Sequence, residues 1–207
     1  MKRPNLYPLA GFLSSGLMII SYLFLFVSFL SIRRESPFAQ YVRLYAPILV
    51  LIIFLAFRHI LVLSSGLTKF RLIIHLMLIT QLIVFIIGIV MKFKLVPVKI
   101  MLYVPPVVGL ILIGFYIWFF ITILMIDRDK IKALSFLQLF AITFLLIFVF
   151  RILFIVLTII PSVNLYIAPR YTVMNVMMQI VEKIPYAFLI VFFFKYLYPK
   201  NLSEADA

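Results

Sequence analysis

The sequence predicts an all-α polytopic membrane protein, a bundle of six transmembrane helices in one domain over residues 1–207. Three observations predict it. Hydrophobic residues make up 67% of the chain and charged residues only 12%, whereas a soluble domain carries about a quarter charged residues. Six apolar runs each approach the roughly 20 residues a helix needs to cross the hydrocarbon layer. The basic residues behind the net charge of +13 fall mostly in short segments between those runs. That is where topology and head-group anchors sit, so the lipid bilayer is an expected partner and nucleic acid is not. With no cysteine in the chain, disulfides, thiolate metal sites and cysteine nucleophiles are excluded.

The first helix is predicted at 10–31, with Gly11, Ser14, Ser15 and Gly16 in its opening turns. Small residues there allow a neighbouring helix to approach closely. Met1-Lys2-Arg3 looks like a signal n-region. The run that follows is long for a signal peptide and has no small-x-small cleavage site, so it reads as a retained helix. Arg33, Arg34, Glu35 and Pro37 end it. The second helix, 44–64, places Pro47 in its first turn, where proline is tolerated. It carries Arg58-His59 and closes at Ser64-Ser65-Gly66. The third, 71–91, holds His75 and Gln81. The fourth, 105–126, starts at Pro105-Pro106, since proline suits a helix start. Asp127-Arg128-Asp129-Lys130 reads as a solvated turn. The fifth runs 133–160 to Pro161, with Gln138 and Arg151, and the sixth runs 171–197 with a kink at Pro185. A break into two pieces at Pro185 is the alternative.

Six spans put both termini on one side. That side collects nine basic residues (Lys2, Arg3, Lys69, Arg71, Arg128, Lys130, Lys132, Lys195, Lys200) against seven on the other (Arg33, Arg34, Arg43, Lys92, Lys94, Lys99, Arg170). The difference favours cytoplasmic termini.

The sixth span carries the sharpest chemistry. Asn175, Gln179, Glu182 and Tyr186 follow at offsets of four, three and four, which is one polar stripe on a helix. A charged group at the bilayer centre costs about 2.5–3.5 kcal/mol by insertion scales unless it faces inward and finds a partner. Arg151 lies 11 residues before Ser162, and Glu182 lies 12 after Arg170. If 162–170 form the turn, the two charges share a depth. Two readings fit: an ion, proton or charged-ligand site in the bundle core, or a structural ion pair that fixes the packing of the last two helices. Lys183 points about 100° away from Glu182 and needs a second partner or a water-filled cavity.

Arg58 either snorkels toward the head groups or joins the fifth and sixth helices from inside. His59 and His75 flank one turn at similar depth, and axial haem ligation is conceivable. Two histidines without acidic or cysteine neighbours are too few for a metal. Phe57, Leu61 and Leu72 are bulky where a haem would need small residues. Two interfacial histidines with local hydrogen bonds is the plainer reading. No phosphate-binding glycine loop, H-E-x-x-H, nucleophile elbow or paired catalytic carboxylates occur, so an enzyme is not expected.

Two stretches carry a resemblance. Arg33-Arg34-Glu35, with Phe57-Arg58-His59-Ile60-Leu61 in the next helix (33–61), resembles the first loop and second helix of a eukaryotic seven-helix group. That group includes the plant tobamovirus-multiplication proteins and the animal lysosomal orphan-receptor-like proteins. Glu182-Lys183-Ile184-Pro185 with Lys195 and Pro199 is similar to the last helix of that group and of fungal lipid-exporter-like seven-helix proteins. Arg151 matches an arginine in the helix before it, so the second stretch is 151–199. The motifs are short, and the group has seven spans where this chain has six. The resemblance implies a non-enzymatic receptor-like or scaffold protein of internal membranes that recruits small GTPases or other cytosolic partners.

The expectation is therefore a non-enzymatic integral membrane protein that binds or conducts a small charged ligand or ion through a polar core. Glu182, Arg151 and Lys183 would carry that role, supported by Arg58, Gln179 and Asn175. The alternative is a receptor-like or scaffold subunit of a membrane complex, with a second copy or another membrane protein as partner. A haem-binding electron-transfer subunit using His59 and His75 is the third reading. No cofactor or metal is otherwise expected.

Overall fold

A computed structural model describes residues 6–32, 37–93, 95, 98–127, 130, 131, 133–159 and 177–198. In chain order the helices are α1 (Leu6–Ile32), α2 (Pro37–Phe57), α3 (Lys69–Lys92), α4 (Val98–Leu124), α5 (Leu134–Ile159) and α6 (Tyr186–Leu197). A π-helical turn, Arg58–Ser64, extends α2, and a short helical segment at 177–181 precedes α6. Among the described residues there is no strand, and six helices are long and apolar enough to cross a membrane. The protein is an integral membrane protein with an all-α fold. In lipid, backbone N–H and C=O groups must be satisfied within the segment, which leaves the helix as the spanning form for such runs. Hydroxyls follow the same rule: Ser15 donates to the Gly11 carbonyl at 2.8 Å and Thr80 to the Leu76 carbonyl at 2.8 Å.

The proline-based boundaries need correction. α2 begins at Pro37, so Pro47 lies inside the helix and not in its first turn. α4 begins at Val98 and runs through Pro105-Pro106, which do not start it. Membrane helices tolerate interior proline because neighbouring groups re-satisfy the freed carbonyls, so proline marks a start less reliably here than in water. Pro185 has the opposite outcome. Lys183 N–H bonds the Ile180 carbonyl, Ile184 the Val181 carbonyl and Tyr186 the Lys183 carbonyl, each three residues back. The span Met177–Leu197 therefore contains tight 3₁₀ turns at Pro185 and not a simple kink, and the α-helix restarts with Pro185 as its N-cap.

The helices form a closed ring. Each packs on its neighbours in the chain, and α6 returns to pack on α1. Successive helices run antiparallel, and along α5 and the last span Arg151 pairs with Glu182, Phe140 meets Tyr186 and Lys195 lies over Phe136, so Leu6 and Leu197 lie at one end with the α2–α3 and α4–α5 turns. Gly66 (φ 65°) makes the first of these turns, a left-handed conformation that costs glycine nothing. In the second, Asp127 pairs with Lys130 at 2.9 Å, both exposed. The hydrogen bond and the charge of Lys130 hold the Asp127 carboxyl below its usual pKa. At Asp127 and Lys130 this is the solvated turn the sequence predicts; Arg128 and Asp129 lie outside the described residues.

The core sits toward this end and is aromatic. Phe57 lies at its centre, with ring centroids 5.6 Å from Phe119, 6.4 Å from Phe140, 6.2 Å from Phe192 and 5.6 Å from Phe193. Phe70 meets Phe119 edge-on at 5.9 Å, and Phe120 stacks on Phe144 at 5.2 Å. Phe57, Phe70, Phe119, Phe120, Phe192 and Phe193 are fully buried. Helices α2 to α6 thus meet in one layer of rings, tilted around Phe57 and edge-to-face or stacked beside it, with no face-to-face sandwich at the centre.

Toward the opposite end the packing opens. Along the inward stripe of α5, Leu137, Phe140, Ala141, Phe144 and Ile147 are all buried. The next residue of that stripe, Arg151, is half-exposed. On α3 the buried residues stop at Gln81, and the helix continues to Lys92 without another. Burial thus thins toward this end along α3 and α5, while on α2 Val42 is still fully buried and Lys92 of α3 lies over Tyr41.

Candidate functional site

The half of the bundle away from the aromatic layer brings three of the sequence-predicted residues together. Arg151 of α5 donates through Nη1 to Glu182 Oε1. Glu182 is largely withdrawn, with 16% of its side chain exposed, while the Arg151 side chain keeps 51%. The pair therefore sits beyond the packed core, with Glu182 turned inward and Arg151 at the surface of the bundle. Lys183 turns the other way, as adjacent helical positions must. Its Nζ lies 4.4 Å above the ring of Tyr22 on α1 and 6.0 Å from the Tyr186 ring. The partner that Lys183 needs is an aromatic face, and a desolvated cation–π contact of this kind contributes about 2 kcal/mol. Arg151, Glu182, Lys183 and Tyr22 thus link α5, the turn before α6, and α1.

The local sequence explains the placement. The 3₁₀ turns at 182–185 reorient the chain where Pro185 supplies no N–H. They carry Glu182 toward α5 and Lys183 toward α1. Below them Tyr186 is buried, edge-on to Phe140 at 6.0 Å and Phe144 at 5.8 Å. The site has an aromatic floor continuous with the core.

The remaining candidates separate. Gln179 is half-buried one turn before Glu182. Asn175 lies outside the described residues. Arg58 does not join the cluster. Its neighbour Phe57 meets Phe192 and Phe193, about ten residues beyond Glu182, or roughly 15 Å along a helix at 1.5 Å per residue. Arg58 is half-buried at the closed end, and its supporting role at the Glu182 site is withdrawn. His59 stacks on Tyr7, centroids 4.4 Å apart. His75 holds its Nδ1 against the Arg71 carbonyl of its own helix. Among the described residues no three His, Asp or Glu side chains converge as metal ligands.

Sequence reasoning missed two groups. Tyr22 under Lys183 is one. It continues the stripe Gly11, Ser15, Met18, Tyr22 at offsets of four, three and four, a periodicity that could have found it. The other is a buried link in which Gln81 Nε2 donates to the Tyr116 hydroxyl at 2.8 Å, joining α3 to α4. A lone glutamine in an apolar run calls for such a partner, but nothing in the pattern singles out Tyr116.

The ion pair makes a prediction about stability. Without Arg151, the withdrawn Glu182 carboxylate is left uncompensated. Without Glu182, Arg151 can still be solvated. Arg151→Gln is expected to cost about 1–2 kcal/mol, below the 3–5 of a fully buried pair because Arg151 is half-exposed. Glu182→Gln should cost less, and the double variant should recover part of the Arg151→Gln loss. Melting of the purified protein in detergent measures all three. Equal and additive losses would show that the two groups are not coupled.

Comparison with family models, curated proteins and solved structures returns no match for this chain.

Proposed function

We propose that this protein is a non-enzymatic membrane protein that binds a small charged ligand in a hydrated vestibule at the Arg151–Glu182–Lys183 cluster. What supports the reading is one observation: three charged side chains of the membrane-spanning helices gather at one place, with Glu182 largely withdrawn on Arg151 and Lys183 turned in against Tyr22 of α1. An inward-facing charge in a membrane bundle belongs to a water-filled cavity or a ligand path. A guanidinium has five N–H donors, and Glu182 takes up only part of that capacity. The aromatic layer around Phe57 favours binding over conduction, because a hydrated ion would have to cross fully buried rings. With cytoplasmic termini, the vestibule opens to the other side of the membrane.

The chain lacks cysteine, so single cysteines report water access cleanly. Gln179→Cys is expected to react with a membrane-impermeant thiol reagent. Leu189→Cys, fully buried within α6, should stay unreactive. An inert Gln179→Cys would remove the vestibule and leave the charges as a packing device of a scaffold subunit. A reactive Leu189→Cys would show the floor to be open and bring conduction back.

A further inference from the structure

Resting on that vestibule, we infer that its ligand is an oxyanion, a carboxylate or phosphate group held by Arg151 and Lys183, and not a cation. The charge of the cluster decides this. Two cations flank one carboxylate, and Glu182 is already engaged by Arg151 Nη1. A cation entering the site would have to displace a guanidinium from its partner while facing Lys183. An oxyanion meets the unengaged edge of Arg151, the geometry in which guanidinium binds carboxylate and phosphate through paired N–H donors. Lys183, 4.4 Å above the Tyr22 ring and 6.0 Å from the Tyr186 ring, exchanges these contacts for a full opposite charge when it turns toward it.

The surroundings add the same sign. Lys92 lies at this end of α3, 4.2 Å over Tyr41. A low-dielectric cleft lined by one sign of charge focuses the field and raises the local concentration of counter-ions by about 10–1,000-fold. Tyr186 and Phe144 form an apolar floor beneath the cluster, so an oxyanion on a short hydrocarbon body fits as well as a free one.

The test uses Gln179→Cys in the full-length protein in nanodiscs, with two small methanethiosulfonate reagents, one anionic and one cationic. Each rate is normalised to that reagent's reaction with a free thiol. The anionic reagent is expected to react about tenfold faster, the lower end of electrostatic focusing. Lys183→Gln should reduce that ratio, and Arg151→Gln combined with Lys183→Gln should invert it, because only Glu182 then remains. Inorganic phosphate or octanoate at millimolar concentration should slow labelling. Protection by phosphate identifies a free anion, and protection by octanoate alone identifies an amphiphile. If both reagents react and the cationic one is faster, or if neither anion protects, the oxyanion assignment is overturned while the vestibule stands. If neither reagent reacts, the vestibule itself is wrong.

Discussion

Phe57→Ala is expected to destabilise the protein by about 3 kcal/mol, at the lower end of the range for deleting a buried phenylalanine. Phe57 is the last residue of α2, and its ring touches Phe54, Phe119, Phe140, Phe192 and Phe193. Those five rings come from α2, α4, α5 and α6. Truncation removes contacts to three other helices at once and leaves a cavity lined by rings that are themselves locked. In lipid the unfolded helices remain in apolar surroundings, so the loss is one of packing and not of transfer from water. That places the estimate at the low end. The measurement is thermal or denaturant unfolding of purified protein in one detergent. Leu110→Ala serves as the control, because Leu110 faces outward at 69% exposure and an exposed change falls within about 0.5 kcal/mol. A Phe57→Ala loss no larger than the Leu110→Ala loss would mean that the aromatic layer does not hold the bundle together. Phe57→Ala should leave the charged cluster in place, since an apolar cavity of this kind stays dry. Gln179→Cys should therefore label at the same rate in both backgrounds.

The six spans were legible because lipid imposes a length and a composition on any helix that crosses it, and each apolar run carries both. Their ends were not legible for the same reason. α1 starts at Leu6 and α4 at Val98, outside the apolar runs, because a helix goes on past the hydrocarbon wherever its backbone bonds still close. The π-helical turn at Arg58–Ser64 has no signature in the residue pattern. It is a tertiary accommodation next to the crowded core, and it leaves His59 stacked on Tyr7. For the candidate site, equal spacing from the joining segment was enough to bring Arg151 level with Glu182, since depth is a one-dimensional quantity that residue count measures. Whether that level lay inside or at the rim depends on how far the helices splay, and splay depends on which side chains meet across the ring. Aromatic residues occur along the whole chain, so counting them does not reveal that they gather at one end. Arg58 was misplaced for that reason: its helix was right, and its depth relative to Glu182 needed the partner contacts of Phe57.

Gly11→Val is expected to cost about 2–3 kcal/mol, by overpacking the contact that closes the ring of helices. A Cβ built on Gly11 would lie 2.6 Å from Phe193 Cζ and 2.8 Å from Cε1 and Cε2. A ring tip can usually swing aside, but this one cannot. Phe193 is fully buried, 5.3 Å from Phe192 and 5.6 Å from Phe57, so the strain passes to the α1–α6 spacing. Gly16 on the same helix is the control. Nothing lies within 4 Å of its added Cβ, so Gly16→Val should be close to neutral, set only by helix propensity, which differs by less than about 1 kcal/mol. Phe193→Leu in the Gly11→Val background should recover at least about 1 kcal/mol, as expected of two residues that share one contact. Equal losses at Gly11 and Gly16, or no recovery in the double variant, would exclude the close approach. The consequence reaches the candidate site through geometry. Gly11, Ser15, Met18 and Tyr22 share one face of α1, so a shim between Gly11 and Phe193 tilts the helix that holds Tyr22 over Lys183. Gly11→Val should therefore also change the ratio of anionic to cationic labelling at Gln179→Cys, which Gly16→Val should leave unaltered.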